Sequence, residues 1–398
     1  MSESTQVIVE EIRLQNFRAF ENTLLHLSDL TFLVGRNGAG KTSLLDAMDF
    51  LREAVSDSLE NALDRRGGLQ KVQSMKPGRK ANVRMGIAVI FSVRFPGRQI
   101  KVAYGFEVKN SVKTGALNIH ECFITYPSSE SIFDRKDGLI NGEKTKGVSS
   151  PTNNLILPLI ARSDSLWEMV LNSIRNLRAY EFSPADIAGT MEIGERSTLN
   201  RDGSNAGDVL KAIEGTTDYT WVIKRLGMIT EGISKVHAEA LLGRRILYFF
   251  RKQEDGELKF DASQVSQGTL RGLGVLLALK QKPTPSVVLI DEIENSLHPS
   301  ALSVLLDAAL SSSKDTRVVL TSHSPEVLSH SSVTGDRVRM IEWSRGISKI
   351  FHLSSETQKS VNEIDSVGWM LRSNSLWTGP NPETFKGGLF SMKREIEG

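Results

Sequence analysis

The sequence predicts an α/β fold with an antiparallel β lobe and a helical insertion. Short buried strands alternate with amphipathic helices near both ends of the chain. Residues 83–126 are rich in β-branched and aromatic residues, and apolar side chains recur at helical spacing within residues 155–245. Because strands flank the helical part on both sides, we expect one sheet to draw on both ends of the chain.

The composition is that of a globular protein, with 398 residues, 39% hydrophobic and 24% charged residues, and a net charge of +2. This length allows two or three structural units. No apolar run approaches the roughly 18 residues of a membrane span, and the N-terminus lacks signal-peptide features, so we expect a soluble, cytoplasmic protein without a membrane partner. The single cysteine, Cys122, excludes an intrachain disulfide and is expected to be buried and inert.

Residues 1–150 are predicted to hold a strand–loop–helix unit followed by the β lobe. Alternation in "VIVEEIRL" and "NTLLHL" predicts two strands, and "LTFLV" predicts a short buried strand. The segment "SLLDAMDFLREAV" has apolar residues at helical spacing. From Val83 to Tyr126, strand-like runs separated by turn signals such as "PGR" predict the antiparallel lobe.

Residues 151–245 are the predicted helical insertion, with amphipathic patterns in "SDSLWEMVLNSIRNL", "GDVLKAI" and "YTWVIKRLGMI". Residues 246–353 are again predicted to alternate between strands and helices. They contain a hairpin in "RRILYFFRK" and "GELKF", helices at "TLRGLGVLLALKQK" and "PSALSVLLDAALSS", and buried strands at "SVVLI" and "TRVVLTS". Residues 354–398 are assigned to a C-terminal tail. No internal repeat or heptad run is present.

The stretch "GRNGAGKT" at residues 35–42 matches the phosphate-binding pattern G-x-x-x-x-G-K-[ST] in full. Its glycines let backbone N–H groups surround a phosphate, Lys41 reaches the β- and γ-phosphates, and the Thr42 hydroxyl ligates Mg²⁺. A strand before the loop and a helix after it disfavour a chance glycine turn. The predicted nucleotide-binding residues here are Gly35, Arg36, Asn37, Gly38, Ala39, Gly40, Lys41, Thr42 and Ser43.

The stretch "VVLIDE" ends a buried strand in two adjacent carboxylates. A core does not tolerate such a pair unless the strand opens onto a site. We predict that Asp291 holds Mg²⁺ and that Glu292 orients and deprotonates the attacking water. Taken alone, the pattern also fits a solvated turn at a strand end. Its pairing with the phosphate loop favours the catalytic interpretation.

Two further segments are candidates. His323 in "TSHSP" follows the next apolar strand, where a γ-phosphate contact would lie, although a lone histidine is often a surface residue. We predict a catalytic role for His323, alongside Lys41 and Glu292. The segment "VSQGTLR" opens a helix with Ser266 and Gly268, so it is either an anion site or a capped helix start.

A basic segment lies between Asp64 and Arg84, with seven Lys or Arg residues against one Asp. Its glycines and proline indicate a loop. One interpretation is a contact with a phosphate backbone through Arg65 to Arg84, and the other is a solvated basic loop.

Together these motifs resemble the ABC-type ATPases of the RecF and SMC-like group, closest to OLD-like AAA ATPases of phage-defence systems. The resemblance rests on "GRNGAGKT", "VSQGTLR", "VVLIDEIENSLHP" and "VVLTSHSP", in that order. The opening "IRLQNFRAF", the stretch "LNRDGSNAGDVL" and the tail "SVGWMLRSNSLW" are similar to elements of the same group. These matches are scattered over most of the chain.

The resemblance implies a P-loop ABC-type ATPase head that uses ATP and Mg²⁺. It also implies a head-to-tail homodimer, or a larger assembly, with two ATP molecules between the subunits. Ser266 and Gly268 would then contact the γ-phosphate of the partner's ATP, and Asn295 would cross the interface. The family pattern is not matched at Gln267, Ile293 and Ser296. A phosphate-sensing glutamine is not fixed, and the two candidates are Gln70 and Gln73.

Several functions are compatible with this pattern. The favoured one is an ATP-hydrolysing sensor or switch for a separate effector, a nuclease or toxin, in anti-phage defence. The alternative is a RecF-like DNA repair ATPase; a transporter motor and a non-catalytic scaffold are disfavoured. A transporter motor has a much shorter spacing between phosphate loop and signature than the 225 residues here. No coiled coil or TOPRIM domain is expected on this chain, and hence no nuclease activity of its own.

Overall fold

A computed structural model describes the fold of residues 5–74, 83–110, 116–127, 132–149, 153–194, 197–363, 366–373, 375–385 and 388–390. Within these ranges the chain forms seventeen strands, thirteen α-helices and four three-residue 3-10 helices. No helix in the described part of the chain is long and apolar enough to cross a membrane.

Most strands belong to a single thirteen-stranded sheet. The strands are β1 Gln6–Phe17, β2 Phe20–His26, β3 Leu30–Val34, β4 Met85–Phe95, β5 Arg98–Asn110, β6 Leu117–Tyr126, β7 Phe133–Lys136, β8 Leu139–Asn141, β9 Leu177–Tyr180, β10 Met191–Glu192, β11 Ile233–Leu241, β12 Arg244–Gln253, β13 Gly256–Asp261, β14 Val287–Ile290, β15 Arg317–Ser322, β16 Val338–Ser344 and β17 Ile347–His352. The order across the large sheet is β8-β7-β6-β5-β4-β1-β2-β17-β16-β3-β15-β14-β9. Strands from both ends of the chain therefore alternate in one sheet, as predicted.

Helices cover both faces of the parallel part of this sheet. They are α1 Lys41–Ser56, α2 Leu59–Asp64, α3 Leu69–Val72, α4 Leu157–Ile160, α5 Ser165–Arg175, α6 Pro184–Ala188, α7 Ala206–Ile213, α8 Thr217–Ile229, α9 Gln267–Lys280, α10 Pro299–Ser312, α11 Pro325–Leu328, α12 Ser355–Glu363 and α13 Val367–Arg372. Apolar side chains of α1 and α5 pack on one face, and those of α7, α8, α9 and α10 pack on the other. The layered α/β arrangement explains why β3 and β14 are buried on both faces.

The strands at the centre are buried on both faces. All five residues of β3 are buried, and so are all four of β14. Val287 and Leu289 contact the core on the α1 side, whereas Val288 and Ile290 contact the core on the α9 side. β3, β14, β15, β16 and β9 run parallel to their neighbours in this part of the sheet. Their carboxyl ends therefore meet at one edge, and the loops that follow them gather there.

The antiparallel β lobe is confirmed. β4, β5 and β6 pair in sequence, and β4 also pairs with β1, so the lobe continues the central sheet rather than standing apart from it. Cys122 on β6 is buried, and burial raises the pKa of its thiol to about 12. At neutral pH this thiol stays protonated, which agrees with the prediction of an inert residue.

The segment predicted as a helical insertion is only partly helical. The three predicted helices are present as α5, α7 and α8. However, Leu177–Tyr180 forms β9, which pairs in parallel with β14 and is an edge strand of the large sheet. Ile233–Leu241 forms β11, which pairs with β12 in a second, four-stranded sheet. Both strands were missed because they are short or only half apolar, and tertiary pairing fixes their conformation.

The C-terminal residues pack onto the head. Gly368 of α13 lies so close to α11 that a Cβ atom there would be 2.1 Å from the Pro325 carbonyl oxygen. Further along, the buried Glu383 carboxylate forms ion pairs with Arg339 Nε at 2.9 Å and His352 Nε2 at 2.8 Å. The segment around Glu383 is thus held against β16 and β17.

Candidate nucleotide-binding site

The phosphate loop connects β3 to α1, at the carboxyl edge of the parallel strands. Gly38 and Gly40 have φ angles of 78° and 109°, which L-residues with side chains rarely adopt. A Cβ atom at Gly35 would lie 2.6 Å from the Ile341 carbonyl oxygen, and one at Gly40 would lie 2.5 Å from Ser348 Oγ. Glycine is therefore required at both motif positions, because the β16–β17 hairpin covers the loop.

A cavity of about 270 Å³ lies over this loop. It is lined by Ala19, Asn37, Gly38, Gly40, Lys41, Thr42, Ser43, Asp291, Glu292 and Trp343. Six of the nine predicted loop residues thus line the cavity, together with both predicted carboxylates. Gly35, Arg36 and Ala39 lie outside its lining, and a role for them in nucleotide binding stays a prediction.

Lys41 is the cation of this cavity. Its side chain is almost fully buried, and its Nζ donates to the carbonyl oxygens of Gly35 at 2.7 Å and Arg36 at 3.2 Å. An ammonium group carries three donors, so these two bonds leave one for an anion above the loop. A buried ammonium near carbonyl dipoles is suited to a polyphosphate, whose charge offsets its desolvation.

Asp291 lies at the end of β14, separated from β3 only by β15. Thr321 Oγ1 donates to Asp291 Oδ1 at 2.5 Å and accepts from the Glu292 N–H at 2.8 Å. Burial raises the pKa of the Asp291 carboxyl above its ordinary value, while the hydrogen bond from Thr321 and the charge of Lys41 lower it in part. A bound divalent cation would compensate for this burial. The Thr42 hydroxyl lines the same cavity and is the second protein oxygen suited to such a cation.

Mg²⁺ fits this donor set. Within the described ranges, no group of three His, Cys, Asp or Glu side chains forms a metal site by itself. Mg²⁺ is commonly held by one or two protein oxygens, water and substrate phosphates, rather than by a cage of side chains. Asp291 and Thr42 would supply the protein oxygens.

Glu292 has a left-handed backbone with φ 45°, an unusual conformation for a residue with a side chain. Such strain is tolerated where surrounding contacts fix it, often at functional sites. Here Thr321 accepts from its N–H, and Asn295 Nδ2 donates to its Oε2 at 2.6 Å. His323 Nδ1 lies 3.9 Å from Glu292 Oε1. The structure therefore brings the predicted catalytic pair Glu292 and His323 together.

Glu294 was missed in the sequence. Its Oε1 accepts from Ser322 Oγ and from the His323 N–H, each at 2.9 Å, and lies 3.3 Å from His323 Nδ1. Its Oε2 is buried without a hydrogen-bond partner in the described structure. The only available signal was a third carboxylate in "IDEIEN", which has the appearance of a solvated loop residue.

Arg271, the last residue of "VSQGTLR", was also missed. It is buried, and its guanidinium donates to the carbonyl oxygens of Asp291 at 2.8 Å, Glu292 at 2.7 Å and Phe182 at 3.0 Å. Burial lowers the pKa of this guanidinium. Helix α9 is therefore fastened, within the same subunit, to the main chain of the two predicted site residues Asp291 and Glu292.

Ser266 is the N-cap of α9, and its Oγ accepts from the Thr269 N–H at 3.3 Å. Ser266 and Gly268 do not line the cavity over the phosphate loop. A Cβ atom at Gly268 would lie 2.7 Å from the Ser296 carbonyl oxygen. The capped helix start is thus observed, and a contact with a partner's nucleotide stays a prediction.

One of the three departures from the family pattern, Ile293, has a local explanation. Ile293 is fully buried, and its N–H donates to the Thr321 carbonyl oxygen at 3.2 Å, a bond that a proline could not make. Ser296 adopts φ 60°, a conformation in which glycine is unstrained. Asn295, predicted to cross a dimer interface, is exposed and contacts its own Glu292.

The described part of the basic segment contains a helix and ion pairs that its sequence did not indicate. The prediction of a loop is wrong for Leu69–Val72, which forms α3. Arg66 is largely buried and pairs with Asp46 and Glu53, Arg65 pairs with Asp57, and Arg84 lies 3.7 Å from Glu107. These three cations are therefore already neutralised by carboxylates. Lys76, Arg79 and Lys80 lie outside the described residues.

Neither candidate for the phosphate-sensing glutamine lines the cavity. Gln73 Nε2 donates to the Val83 carbonyl oxygen at 2.5 Å, so its amide serves a local contact. Gln70 is exposed on α3.

Comparison with known proteins agrees with this site. The chain is 27% identical over 133 residues to the "Retron Ec83 probable ATPase" of Escherichia coli. The aligned part covers 33% of this chain and 24% of that protein, so it spans about a quarter of the relative's length.

Two solved structures share the fold. One is the SmcHead bound to the C-winged helix domain of ScpA, with 13% identity, a TM-score of 0.54, and coverage of 88% of this chain and 99% of that chain. The other is the Smc head domain with an extended coiled coil, bound to the C-terminal domain of ScpA derived from Pyrococcus furiosus, with 13% identity, a TM-score of 0.52, and coverage of 90% and 99%.

The fold is thus that of a P-loop ABC-type ATPase head, as predicted. Residues 30–329 match the family model described as "AAA domain, putative AbiEii toxin, Type IV TA system". The matched range contains the phosphate loop, α9, both carboxylates and His323, and it covers most of the chain. The chain therefore belongs to this AAA family.

Proposed function

We propose that the protein binds and hydrolyses ATP with Mg²⁺, dimerises on ATP, and acts as a switch for a separate effector in anti-phage defence. One observation carries the hydrolytic part of this proposal. The strained Glu292 lines the same cavity as Lys41 and Thr42, and both Asn295 and His323 lie beside its carboxylate.

Each residue has a definable task in this proposal. Lys41 and the backbone N–H groups of the loop hold the β- and γ-phosphates. Mg²⁺, when bound by Thr42 and Asp291, neutralises charge on the phosphate oxygens. Glu292 accepts a proton from the attacking water, and His323 donates to the γ-phosphate side of the site. Asn295 holds the Glu292 carboxylate, which fixes the direction of proton transfer.

The exposed start of α9 supports the proposed dimerisation. Ser266 lies outside the lining of the cavity and is exposed at the start of a fourteen-residue helix. The N-terminus of such a helix attracts anions. The phosphate loop of the same subunit already surrounds the phosphates which that subunit binds. The anion that suits Ser266 and Gly268 is therefore the γ-phosphate of a nucleotide on a second subunit.

The link to defence rests on the relative named as a retron ATPase and on the family description, which includes a toxin system. Within the described residues, no metal-binding cluster of the kind that a nuclease uses is present. We propose that the effector is a different chain. ATP binding would change how this head contacts the effector, and hydrolysis would reset it.

The test is Glu292→Gln, which keeps the size and hydrogen bonds of the side chain but removes the base. ATP turnover should fall at least about a hundredfold, since a general base contributes that much or more. ATP should still bind and should accumulate in a dimer, which light scattering measures. Glu254→Gln, in the exposed β12–β13 turn, is the control and should behave as wild type.

Two results would count against the proposal. Unchanged turnover in Glu292→Gln would remove Glu292 from the chemistry. A variant that binds ATP but stays monomeric, under conditions where wild type dimerises, would contradict closure by phosphate contacts.

A further inference from the structure

Trp343 is a large apolar side chain in a polar site. It lies near the end of β16, is 60% exposed, and lines the cavity over the phosphate loop. The other lining residues are small, polar or charged. An exposed tryptophan at the rim of a polar cavity leaves an aromatic face that a flat ligand group can cover.

The indole has no ring or cation stacked on it in the described part of the chain. Two other tryptophans differ in this respect. Trp167 is fully buried and packs against Phe123 and Phe133. Trp221 carries the Arg225 guanidinium at 3.8 Å from its ring centroid. Trp343 therefore does not serve the core in the way these residues do.

The strand order determines which end of a nucleotide Trp343 faces. The phosphate loop follows β3. On one side of β3 lie β15 and β14, which carry Thr321, Asp291 and Glu292 at their ends, and on the other side lies β16. Because the γ-phosphate is directed toward Asp291 and Glu292, the nucleoside must extend the other way, toward the β16–β17 hairpin.

The register supports this position. Met340 pairs with Val34, the last residue of β3, so Trp343 lies three residues beyond the strand end, about 10 Å further along the loop side. Ile341, two residues before Trp343, belongs to the core on the α1 side. Since side chains two apart on a strand share a face, Trp343 is directed to the side of the sheet that carries α1 and its preceding loop.

We propose that Trp343 forms a base subsite, in which the heteroaromatic ring of the bound nucleotide stacks on the indole. This inference rests on the proposed binding of ATP and adds the group that recognises the nucleoside half. Stacking uses the flat face of the base rather than its hydrogen-bonding edge. The subsite therefore favours nucleotides over inorganic polyphosphate and contributes to the binding of both ATP and GTP.

The experiment compares two probes that share phosphates and differ in the base. ATP and inorganic tripolyphosphate, each with Mg²⁺, are titrated by calorimetry against wild type, Trp343→Ala and Trp343→Phe. Trp343→Ala should weaken ATP binding about tenfold, in line with the loss of one aromatic stacking partner, and leave tripolyphosphate binding within about twofold of wild type. Trp343→Phe should restore most of the ATP affinity, because it keeps an aromatic face.

A matched control is Trp377→Ala. Trp377 is 69% exposed and lies in the C-terminal segment, outside the cavity lining. This variant should bind both probes as wild type does. Tryptophan fluorescence provides a second measurement: ATP should quench wild type more than Trp343→Phe, and tripolyphosphate should quench neither.

The outcomes separate the two proposals. ATP affinity unchanged in Trp343→Ala, with wild type binding both probes, would overturn the base subsite and leave the proposed ATP binding intact. Equal weakening of both probes would also overturn it, because Trp343 would then only support the loop. A wild type that binds neither probe would overturn the proposed function, and the subsite with it.

Discussion

The phosphate loop and the start of α9 both place a glycine at the beginning of a helix, yet their surroundings differ. Residues of the loop line a cavity together with carboxylates from β14. Ser266 and Gly268 lie outside that cavity, and the Ser266 hydroxyl caps its own helix. The loop has its chemical partners within one chain, whereas α9 presents an exposed start without a ligand from the same subunit. In the proposed dimer, the phosphate loop would act within one chain and the start of α9 would act on the nucleotide of the other chain.

Lys41→Ala tests the phosphate loop, whose contacts lie within one chain, and should have the largest effect of the variants described here. The side chain provides the charged donor in the loop, and hydrogen bonds to charged groups contribute about 1.5–3 kcal/mol, so ATP affinity should fall by roughly tenfold to over a hundredfold. A binding titration measures this. Lys136→Ala, an exposed cation on β7, is the control. Wild-type affinity in Lys41→Ala would show that the loop does not hold the phosphates.

Ser266→Arg tests the start of α9, which is proposed to act on the nucleotide of a second chain. A bulky cation at the exposed helix start should hold two heads apart, so the variant should bind ATP within about twofold of wild type and lose most of its hydrolysis. Ser311→Arg, at the far end of α10, is the control. ATPase assays over a range of protein concentrations measure the effect.

Mixing Ser266→Arg with Lys41→Ala sharpens this comparison. A mixed dimer contains one site that joins an intact phosphate loop to an intact α9 start, so the mixture should regain part of the hydrolysis. Full activity of Ser266→Arg alone, at concentrations too low for dimers, would instead show that a single subunit suffices and that Ser266 is only a helix cap.

Glu294→Ala should have a smaller effect and addresses the arrangement of the catalytic edge. Removing the carboxylate leaves the His323 N–H and Ser322 Oγ without their acceptor, and His323 loses its nearest anion. We expect kcat to fall about tenfold, with ATP affinity within about twofold of wild type. Glu294→Gln, which keeps an acceptor oxygen, should recover part of kcat. A loss of stability with unchanged kcat per folded molecule would limit Glu294 to a structural role.

Sequence patterns predicted the local features of this site well. "GRNGAGKT" and "VVLIDE" are contiguous, and each sets its own backbone, so position along the chain was enough to identify them. Arg271 and Glu294 were missed for the opposite reason. Their partners lie 20 to 89 and 28 to 29 residues away in the sequence, and nothing near either residue indicates such a contact.

The fold likewise contains elements that the local sequence predicts and elements that distant contacts determine. Strands with a continuous apolar run, such as β3 and β14, were predicted, while β9 was not, because its four residues "LRAY" acquire a strand conformation by pairing with β14. Arg65 and Arg66 of the basic segment are not free cations, because charge counts do not reveal which carboxylates fold next to them.

The sheet order also has a consequence for how the protein is made. Both neighbours of β3 come from the last quarter of the chain, β15 at Arg317–Ser322 and β16 at Val338–Ser344. During synthesis, the phosphate loop is completed at residue 42 but must wait for some 300 further residues before those strands flank it. Pairings of such long sequence separation form late. A nascent chain, or one truncated before β16, therefore lacks a strand that flanks the phosphate loop, and we expect it to bind ATP only after β16 has been synthesised.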